Sequence, residues 1–539
     1  MASGTIVSRV TGVLRDIAAA AALGFFIVAD AYSLGNALPT IVYILVIGGA
    51  LNAVFIPQLV RKMKEHADDG KAYADRLITF VGTLLLTLSI LAVVFAPLIV
   101  DLYTPADYPP EDFDLAVAFA RLCLPQIFFY GIYTLFSQVL NARGHFGAPM
   151  FAPIANNIVA IATFLLFIAV AGTSAAADGA LNSTEILILG IGTTLGVVIQ
   201  AVILIPVLAR VGYRWRPRFD WRGSGLGKAG RLATWTIGLV LVNQATYVLI
   251  TRFATQANVD ALAAGNVAAG LTTYQKAHLV FMLPHSVITV SVVTAMLPAL
   301  SRIAASGRLD QVGRDVGSTM RLVAALVLPI SAMLAVTGAG IAVLLFGYGA
   351  ATPEQAALMG QIVSVFMIGL LPFTLFYVLL RGYYALEDTR TPFWITVGFS
   401  VVLLALMIPL FGAASAGGAQ VAVIALSYSA AYWVGFIAAW MILQRKLGST
   451  DAKRTILTLL RMMIATLIAL AAMLATQAFL VTTLTGGGLS NRIGVLINVV
   501  VVIAVGALAY LIAARVLRIR EITQALALAR TKLQRKASA

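Results

Sequence analysis

Charged side chains interrupt the first apolar segment of this sequence, where Ser8, Arg9, Arg15 and Asp16 lie among small and hydrophobic residues. Ionised groups at membrane depth are costly, so they commonly line a substrate site or a water-filled path. On a helix, Arg9, Gly12 and Asp16 share one stripe, and Ser8 and Arg15 form a second stripe. Guanidinium groups present paired donors that fit phosphate oxygens. The segment therefore predicts that Arg9 and Arg15 bind an anionic substrate.

Cations also outnumber anions at later positions inside apolar segments. We assign Arg252, Lys276 and His278 to the same substrate site, with Arg121 and Arg381 as further candidates. A cavity for cationic drugs would instead display carboxylates, so this pattern favours an anionic ligand. The alternative is that each arginine pairs with an aspartate or a carbonyl, or extends to the membrane interface.

Glycine and proline residues mark a possible gate in the second apolar segment. Gly48 and Gly49 lie between Pro39 and Pro57, and kinks at such residues would let a helix bend during changes of access. Membrane helices commonly carry both residue types, so the pattern is compatible with transport without being diagnostic of it.

The elements that position these residues are membrane-spanning helices. The chain has 539 residues, of which 60% are hydrophobic and 11% are charged, and its mean hydropathy is +0.95. Apolar runs recur at the length of roughly 20 residues that crosses a bilayer as a helix. The alternating pattern of barrel strands is absent. We predict an all-α polytopic membrane protein with about fourteen transmembrane helices.

Loop charge predicts the orientation. Lys and Arg concentrate in alternate loops, such as 61–76 and 210–231, whereas the loop 101–114 carries only acidic charge. The intervening loops contain few Lys or Arg residues, with Arg492 as the one exception. Positive loops stay on the cytoplasmic side. Both termini are therefore expected on the cytoplasmic side of the membrane. The net charge of +15 reflects this topology and does not indicate nucleic-acid binding.

An internal repeat predicts two lobes in the same orientation. Pro149 and Pro392 end similar segments 243 positions apart, and Pro57 and Pro298 lie in similar segments 241 positions apart. Parallel repeats form bundles related by an axis along the membrane normal; chance similarity among apolar segments is the alternative. The predicted divisions are an N-terminal six-helix lobe (1–212), a basic cytoplasmic linker (213–230), a C-terminal six-helix lobe (231–446), two additional transmembrane helices (447–517) and a basic amphipathic cytoplasmic tail (518–539).

The sequence contains no motif for catalysis. It has no phosphate-binding Gly-rich loop, no Cys/His metal spacing and no paired carboxylates in a plausible pocket. The single cysteine, Cys123, cannot form an intramolecular disulfide. We therefore expect a non-enzymatic protein without cofactor or metal, driven by a gradient or by another protein.

Four segments resemble signatures of the MurJ (MviN) lipid II flippase family. Ser8–Asp16 is similar to its Ser-Arg-x-x-Gly-x-x-Arg-Asp opening, and Asp30–Tyr32 to the Asp-Ala-Phe that follows. Leu140–Pro149 and Tyr383–Pro392 resemble its Leu-Asn-Ser and Asp-Thr-Arg-Thr-Pro segments. The resemblance implies the multidrug/oligosaccharidyl-lipid/polysaccharide exporter fold.

The resemblance also implies a function and roles for particular residues. Members move lipid-linked peptidoglycan precursor from the inner to the outer leaflet, and basic residues of the first helix are thought to engage its diphosphate. Those roles fall here on Arg9 and Arg15, with Asp16 and Asp30 as gating partners. The implied partners are lipid II or a related lipid diphosphate, membrane lipids, and cell-wall synthesis or division proteins.

The sequence departs from the family pattern at three places. The second span has no arginine after Leu38-Pro39, and Tyr274–Leu279 replaces an Ala-Asp-Arg-Leu segment, so Lys276 or His278 would substitute for that arginine. No aspartate lies around Arg252, which argues against carboxylate-based sodium coupling there. Other functions stay open: export of another undecaprenyl-linked saccharide, multidrug antiport, or a non-transporting membrane scaffold for cell-wall assembly.

Overall fold

The computed structural model describes most of the chain as α-helices. The described residues are 2–45, 70–177, 179–220, 230–448, 451–484 and 492–522, and they contain no β-strand. Gly48, Gly49 and Pro57 lie outside these residues, so the predicted bend and the first copy of one repeat match lie there as well. The predicted all-helical fold class is confirmed.

The described residues contain twelve helical spans that are long and apolar enough to cross a membrane. Three of these spans, Pro110–Ala142, Ser183–Arg210 and Leu271–Ala305, run through more than one consecutive helix. The first two helices fall outside this group for identifiable reasons. Every 18-residue window of the first contains Arg9, Arg15 and Asp16, and the described part of the second is only 17 residues long. The chain is a multi-pass membrane protein, and the count of about fourteen spans stays a prediction.

The chain forms two compact units, residues 1–272 with 348–355 and residues 273–347 with 356–539. The helices that begin in the first unit are α1 (Ala2–Leu23), α2 (Ile27–Tyr43), α3 (Lys71–Val94), α4 (Ala96–Tyr103), α5 (Pro110–Cys123), α6 (Gln126–Ala142), α7 (Gly147–Ala171), α8 (Ser183–Val202), α9 (Leu204–Arg210), α10 (Gly230–Ala263), α11 (Leu271–Pro284) and α14 (Pro353–Ala385). Those of the second unit are α12 (Val290–Ala305), α13 (Leu309–Phe346), α15 (Arg390–Ala413), α16 (Gly418–Leu447), α17 (Ala452–Leu484) and α18 (Arg492–Val516). The predicted lobe boundaries at 212, 231 and 446 stay predictions.

Close helix packing holds the first unit together. Helix α1 packs on α7, α7 on α8, α2 on α5 and α3 on α6. Gly35 lets α2 approach α5, because a Cβ there would lie 2.7 Å from the Cβ of Phe119. Helix α8 begins with a capping box, in which Asn182 and Glu185 each accept a hydrogen bond from the other's backbone N–H. These contacts fix α1 and α2, which carry the candidate site.

In the second unit, α17 and α18 pack on each other and both pack on α13, while α15 packs on α16. The segment that follows α11 is a π-helical turn, His285–Thr289, which begins directly after Pro284. Proline lacks a backbone donor, which disturbs a regular helical ladder. π-Helical turns inside helices are frequently found at functional sites.

Candidate substrate site

Arg15 is held in a defined orientation by two side chains of the first unit. Its Nη1 donates to Oδ1 of Asn157 at 3.3 Å, and its Nη2 contacts Oδ2 of Asp16 at 3.3 Å. The Arg15 side chain remains 37% exposed, whereas that of Asp16 is 12% exposed. A guanidinium group has five N–H donors, so Arg15 keeps donors beyond these two bonds, as far as the described residues show. It is oriented and able to bind an anion.

Asn157 joins α7 to α1 at the same point. Its Nδ2 donates to the backbone carbonyl of Ser8 at 3.2 Å and to the hydroxyl of Thr11 at 3.0 Å. The amide therefore uses both its donor and its acceptor groups to fix one turn of α1 and to orient Arg15. The sequence reasoning missed Asn157, although an Asn156-Asn157 pair inside an apolar helix was an available signal.

Arg9 is exposed on α1. It precedes Arg15 by six residues, which corresponds to roughly 9 Å along a helix. The two side chains leave the helix on different stripes, roughly 120° apart around its axis, so one anion could contact both only if their long side chains turned towards each other. Arg252 lies half-buried on α10, and none of the hydrogen bonds of Arg15 or Asp30 involves it.

Asp30 occupies a separate, fully buried polar cluster within the first unit. The residue is 1% exposed. Its Oδ2 accepts from Nδ2 of Asn258 at 2.8 Å and from the backbone N–H of Leu271 at 3.0 Å, and its Oδ1 accepts from the N–H of Thr272 at 2.7 Å. Leu271 and Thr272 are the first residues of α11, where a negative charge is stabilised by the helix dipole. Three donors thus compensate the buried carboxylate.

Gly270 makes room for the Asp30 cluster. A Cβ at this position would collide with the carboxylate of Asp30 and would lie 2.6 Å from the Cβ of Asn258. The cluster joins the beginning of α2 to α10 and to the first residues of α11. Sequence reasoning found Asp30 but missed Asn258 and Gly270, because they follow it by more than 220 positions.

His278 lies in an aromatic cluster of the second unit. Its ring stacks on Tyr274 with centroids 5.9 Å apart, and its Nε2 lies 3.4 Å from the hydroxyl of Tyr428. Phe281 and Phe366 contact the same ring, each with centroids 5.6 Å away. Neighbouring Lys276 is half-buried on the same helix. The assignment of both residues to substrate binding stays a prediction.

A second histidine, His285, extends this cluster and was not singled out from the sequence. It is 3% exposed, and its ring lies 4.5 Å from Phe373 and 4.8 Å from Tyr377, centroid to centroid. Its Nδ1 has no hydrogen-bond partner among the described residues. No group of three or more His, Cys, Asp or Glu side chains that could hold a metal occurs in the described part of the chain.

Two solved structures of membrane transporters share this fold. A solved structure described as an inward-facing multidrug resistance MATE family transporter of the MOP superfamily matches with a TM-score of 0.62 at 15% identity, covering 81% of this chain and 95% of that one. A solved structure described as lipid II flippase MurJ in an inward closed conformation matches with a TM-score of 0.73 at 21% identity, covering 96% and 98%. The chain has the fold of this transporter class.

Sequence relatives narrow the class to one family. The family model described as lipid II flippase MurJ matches residues 19–523. A relative from Rhizobium meliloti strain 1021, described as a probable lipid II flippase MurJ, is 30% identical over 419 residues, or 77% of this chain and 75% of the relative. One from Thermotoga maritima with the same description is 28% identical over 435 residues, or 80% and 82%. The chain belongs to the MurJ family, which confirms the resemblance of the sequence motifs.

The family match begins after Asp16. The roles of Arg9, Arg15 and Asp16 therefore depend on the residues themselves and on the geometry around Asn157.

Proposed function

We propose that this chain flips lipid II from the inner to the outer leaflet of the bacterial cytoplasmic membrane by alternating access, with both termini in the cytoplasm. Membership of the MurJ family over residues 19–523 supports the substrate. The single observation that carries the site is the Arg15 guanidinium, which Asp16 and Asn157 orient while it stays partly exposed. Its partners in the cell would include cell-wall synthesis or division proteins.

Arg15 and Arg9 engage the diphosphate of the lipid carrier in this proposal. Charge-assisted hydrogen bonds from arginine to phosphate are short and directional, and an arginine that is already oriented loses less entropy when it binds. Asp16 has two opposing effects, because it positions Arg15 and also competes with phosphate for it. This competition would keep the complex weak enough to release the lipid on the other side.

Asp30 acts as a gate in this proposal. Its carboxylate holds the first residues of α11 through two backbone N–H groups. A conformational change that opens this region would have to break or exchange those bonds. The low exposure of the cluster supports a state in which the gate is closed.

Complementation of a strain depleted of its own lipid II flippase tests the proposal. Arg15→Ala should fail to support growth and should leave lipid II on the inner leaflet, and Arg15→Lys should restore function only in part because it lacks the guanidinium fork. Arg314→Ala is a matched control, since Arg314 is exposed and forms an ion pair with Asp310 on its own helix. Normal outer-leaflet lipid II in cells that contain only Arg15→Ala would refute the role of this residue.

A further inference from the structure

A pocket rich in cationic side chains opens between the beginning of α17 and the end of α18. Its volume is about 740 Å³. Five basic residues line it: Lys453, Arg454, Arg461, Arg518 and Arg520. Arg454 and Arg461 lie seven positions apart, with Leu457 and Thr458 between them, so one face of α17 points into the pocket.

The carboxylates of the pocket are already engaged by a buried arginine. Asp451 and Glu521 line the pocket. Arg321 of α13, whose side chain is 5% exposed, contacts Asp451 at 3.5 Å and Glu521 at 3.3 Å and donates to the hydroxyl of Thr455 at 2.8 Å. Arg321 brings one positive charge to these two carboxylates, and Arg454 also contacts Asp451 at 3.8 Å. The five basic residues that line the pocket therefore leave an excess of positive charge over its two acids.

The backbone at Arg518 is an independent sign of function. Helix α18 ends in a Schellman motif, in which the N–H of Ile519 donates to the carbonyl of Ala514 and the N–H of Arg518 to that of Arg515. Arg518 occupies the left-handed position of this motif, with φ of 53°. Glycine is the favoured residue there because a Cβ is strained. A strained arginine at a site where glycine would fit suggests that its side chain has a role.

The surroundings indicate a lipid rather than a free ion. Exposed apolar residues continue from the pocket along both helices, including Leu457, Leu460 and Ile464 of α17 and Ile512 and Val516 of α18. Basic pockets beside transmembrane helices at the cytoplasmic surface bind anionic lipid headgroups. We infer that this pocket binds the phosphate of an anionic phospholipid, whose acyl chains lie against α17 and α18.

Thermal unfolding of the purified full chain in neutral detergent tests this inference. Phosphatidylglycerol should raise the melting temperature of the wild type, whereas phosphatidylcholine with the same acyl chains and inorganic phosphate should have little effect. Each basic residue near an anionic surface contributes about 1 kcal/mol, so Arg461→Gln should weaken the apparent affinity for phosphatidylglycerol roughly fivefold. Arg515→Gln is the matched control, because Arg515 is exposed at the same end of α18 but does not line the pocket.

Arg518→Gly separates binding from folding. Removing the strained side chain should raise the melting temperature without lipid, while the stabilisation by phosphatidylglycerol should fall. Arg15→Ala should leave the lipid effect unchanged, so this result is independent of the proposed transport function. Equal stabilisation of wild type, Arg461→Gln and Arg518→Gly by phosphatidylglycerol would overturn the inference. Equal stabilisation of the wild type by inorganic phosphate would show an ion site instead of a lipid site.

Discussion

The polar groups around Arg15 and Asp30 in the first unit and the aromatic cluster in the second unit hold their buried side chains in opposite ways. In the first unit, Asp30 is buried with three directed hydrogen bonds, and Arg15 is oriented by Asp16 and Asn157. In the second unit, His278 and His285 are surrounded by aromatic rings. Hydrogen bonds fix both the position and the charge of a group, whereas ring packing fixes its position alone. The first unit is thus suited to hold an anion, and the aromatic cluster is suited to a structural role.

The predicted repeat sharpens this contrast. An offset of about 242 residues, the mean of the two motif offsets, pairs Asp16 with Asn258 and Asp30 with Thr272. Under this predicted repeat, the two carboxylates correspond to neutral residues. Asn258 and Thr272 are also the residues that hydrogen-bond Asp30. Asn258 donates to Asp30 through its side chain, whereas Thr272 donates through its backbone N–H, which any residue other than proline could supply.

Asp30→Ala should have the largest effect on stability. It would leave the amide of Asn258 and the N–H groups of Leu271 and Thr272 buried without their acceptor, at about 1–3 kcal/mol for each unsatisfied group. We expect a loss of roughly 3–5 kcal/mol, measured by thermal unfolding in detergent. Asp310→Ala is the control, because Asp310 is exposed and pairs with Arg314 on the same helix. Similar small losses for both variants would contradict the importance of the buried cluster.

The sequence predicted the charged residues of the first unit better than the aromatic cluster of the second. Arg15 and Asp30 were found because a charge inside an apolar segment is visible locally. Asn258 was not, because Asp30 and Asn258 are brought together only by the fold. The aromatic cluster was missed for a similar reason, since its rings come from three helices and the π-helical turn, and single aromatic residues are common in apolar segments. The length of the apolar runs predicted the fold class, but it carries no information on which helix faces meet.

Asn157→Leu should have the next largest effect, and it should act on function more than on stability. The change removes the acceptor of Arg15 and the bonds to Ser8 and Thr11. Hydrogen bonds to charged groups contribute about 1.5–3 kcal/mol, so binding of a lipid diphosphate should weaken at least tenfold. Titration of the purified protein with undecaprenyl diphosphate measures this affinity.

Asn156→Leu is the matched control for that experiment. Asn156 donates to Gln200 of α8 at 3.0 Å and does not contact Arg15. It should lose a similar amount of stability while it binds the lipid diphosphate normally. If both variants bound the ligand equally well, Arg15 would not need Asn157 for its orientation.

Substitutions of the two histidines test whether the aromatic cluster is structural. His285→Phe should stabilise the protein by about 1 kcal/mol, because it removes a buried nitrogen without a partner and keeps an aromatic ring. His278→Phe should be close to neutral, since it loses only the long contact with Tyr428. Thermal unfolding measures both changes. Loss of transport in His278→Phe at unchanged stability would instead favour the predicted role of His278 in substrate binding.

The smallest effect on stability should come from two ion pairs whose carboxylates lie in loops, one in each unit. In the second unit, burial opposes ionisation of Asp388, but hydrogen bonds from Lys446 and Thr391 outweigh it and lower its pKa. In the first unit, the hydrogen bond from Arg76 at 2.5 Å lowers the pKa of Asp220. A carboxyl group whose pKa is lower in the folded state stabilises the protein above its unfolded pKa of about 4, and this contribution is lost as the pH falls through the folded pKa.

Measuring the melting temperature as the pH is lowered tests whether the two ion pairs respond to acid in the same way. Asp388→Asn should lower stability at neutral pH by less than about 1 kcal/mol and should approach the wild type below about pH 4. Asp220→Asn should show the same convergence. Both ion pairs lie outside the polar and aromatic clusters. Asp30→Asn should not converge with the wild type in this way, because the Asp30 carboxylate also orders the first turn of α11. If all three variants converged with the wild type over the same pH range, the buried cluster would be energetically no different from a loop ion pair, and the contrast between the units would lose its main support.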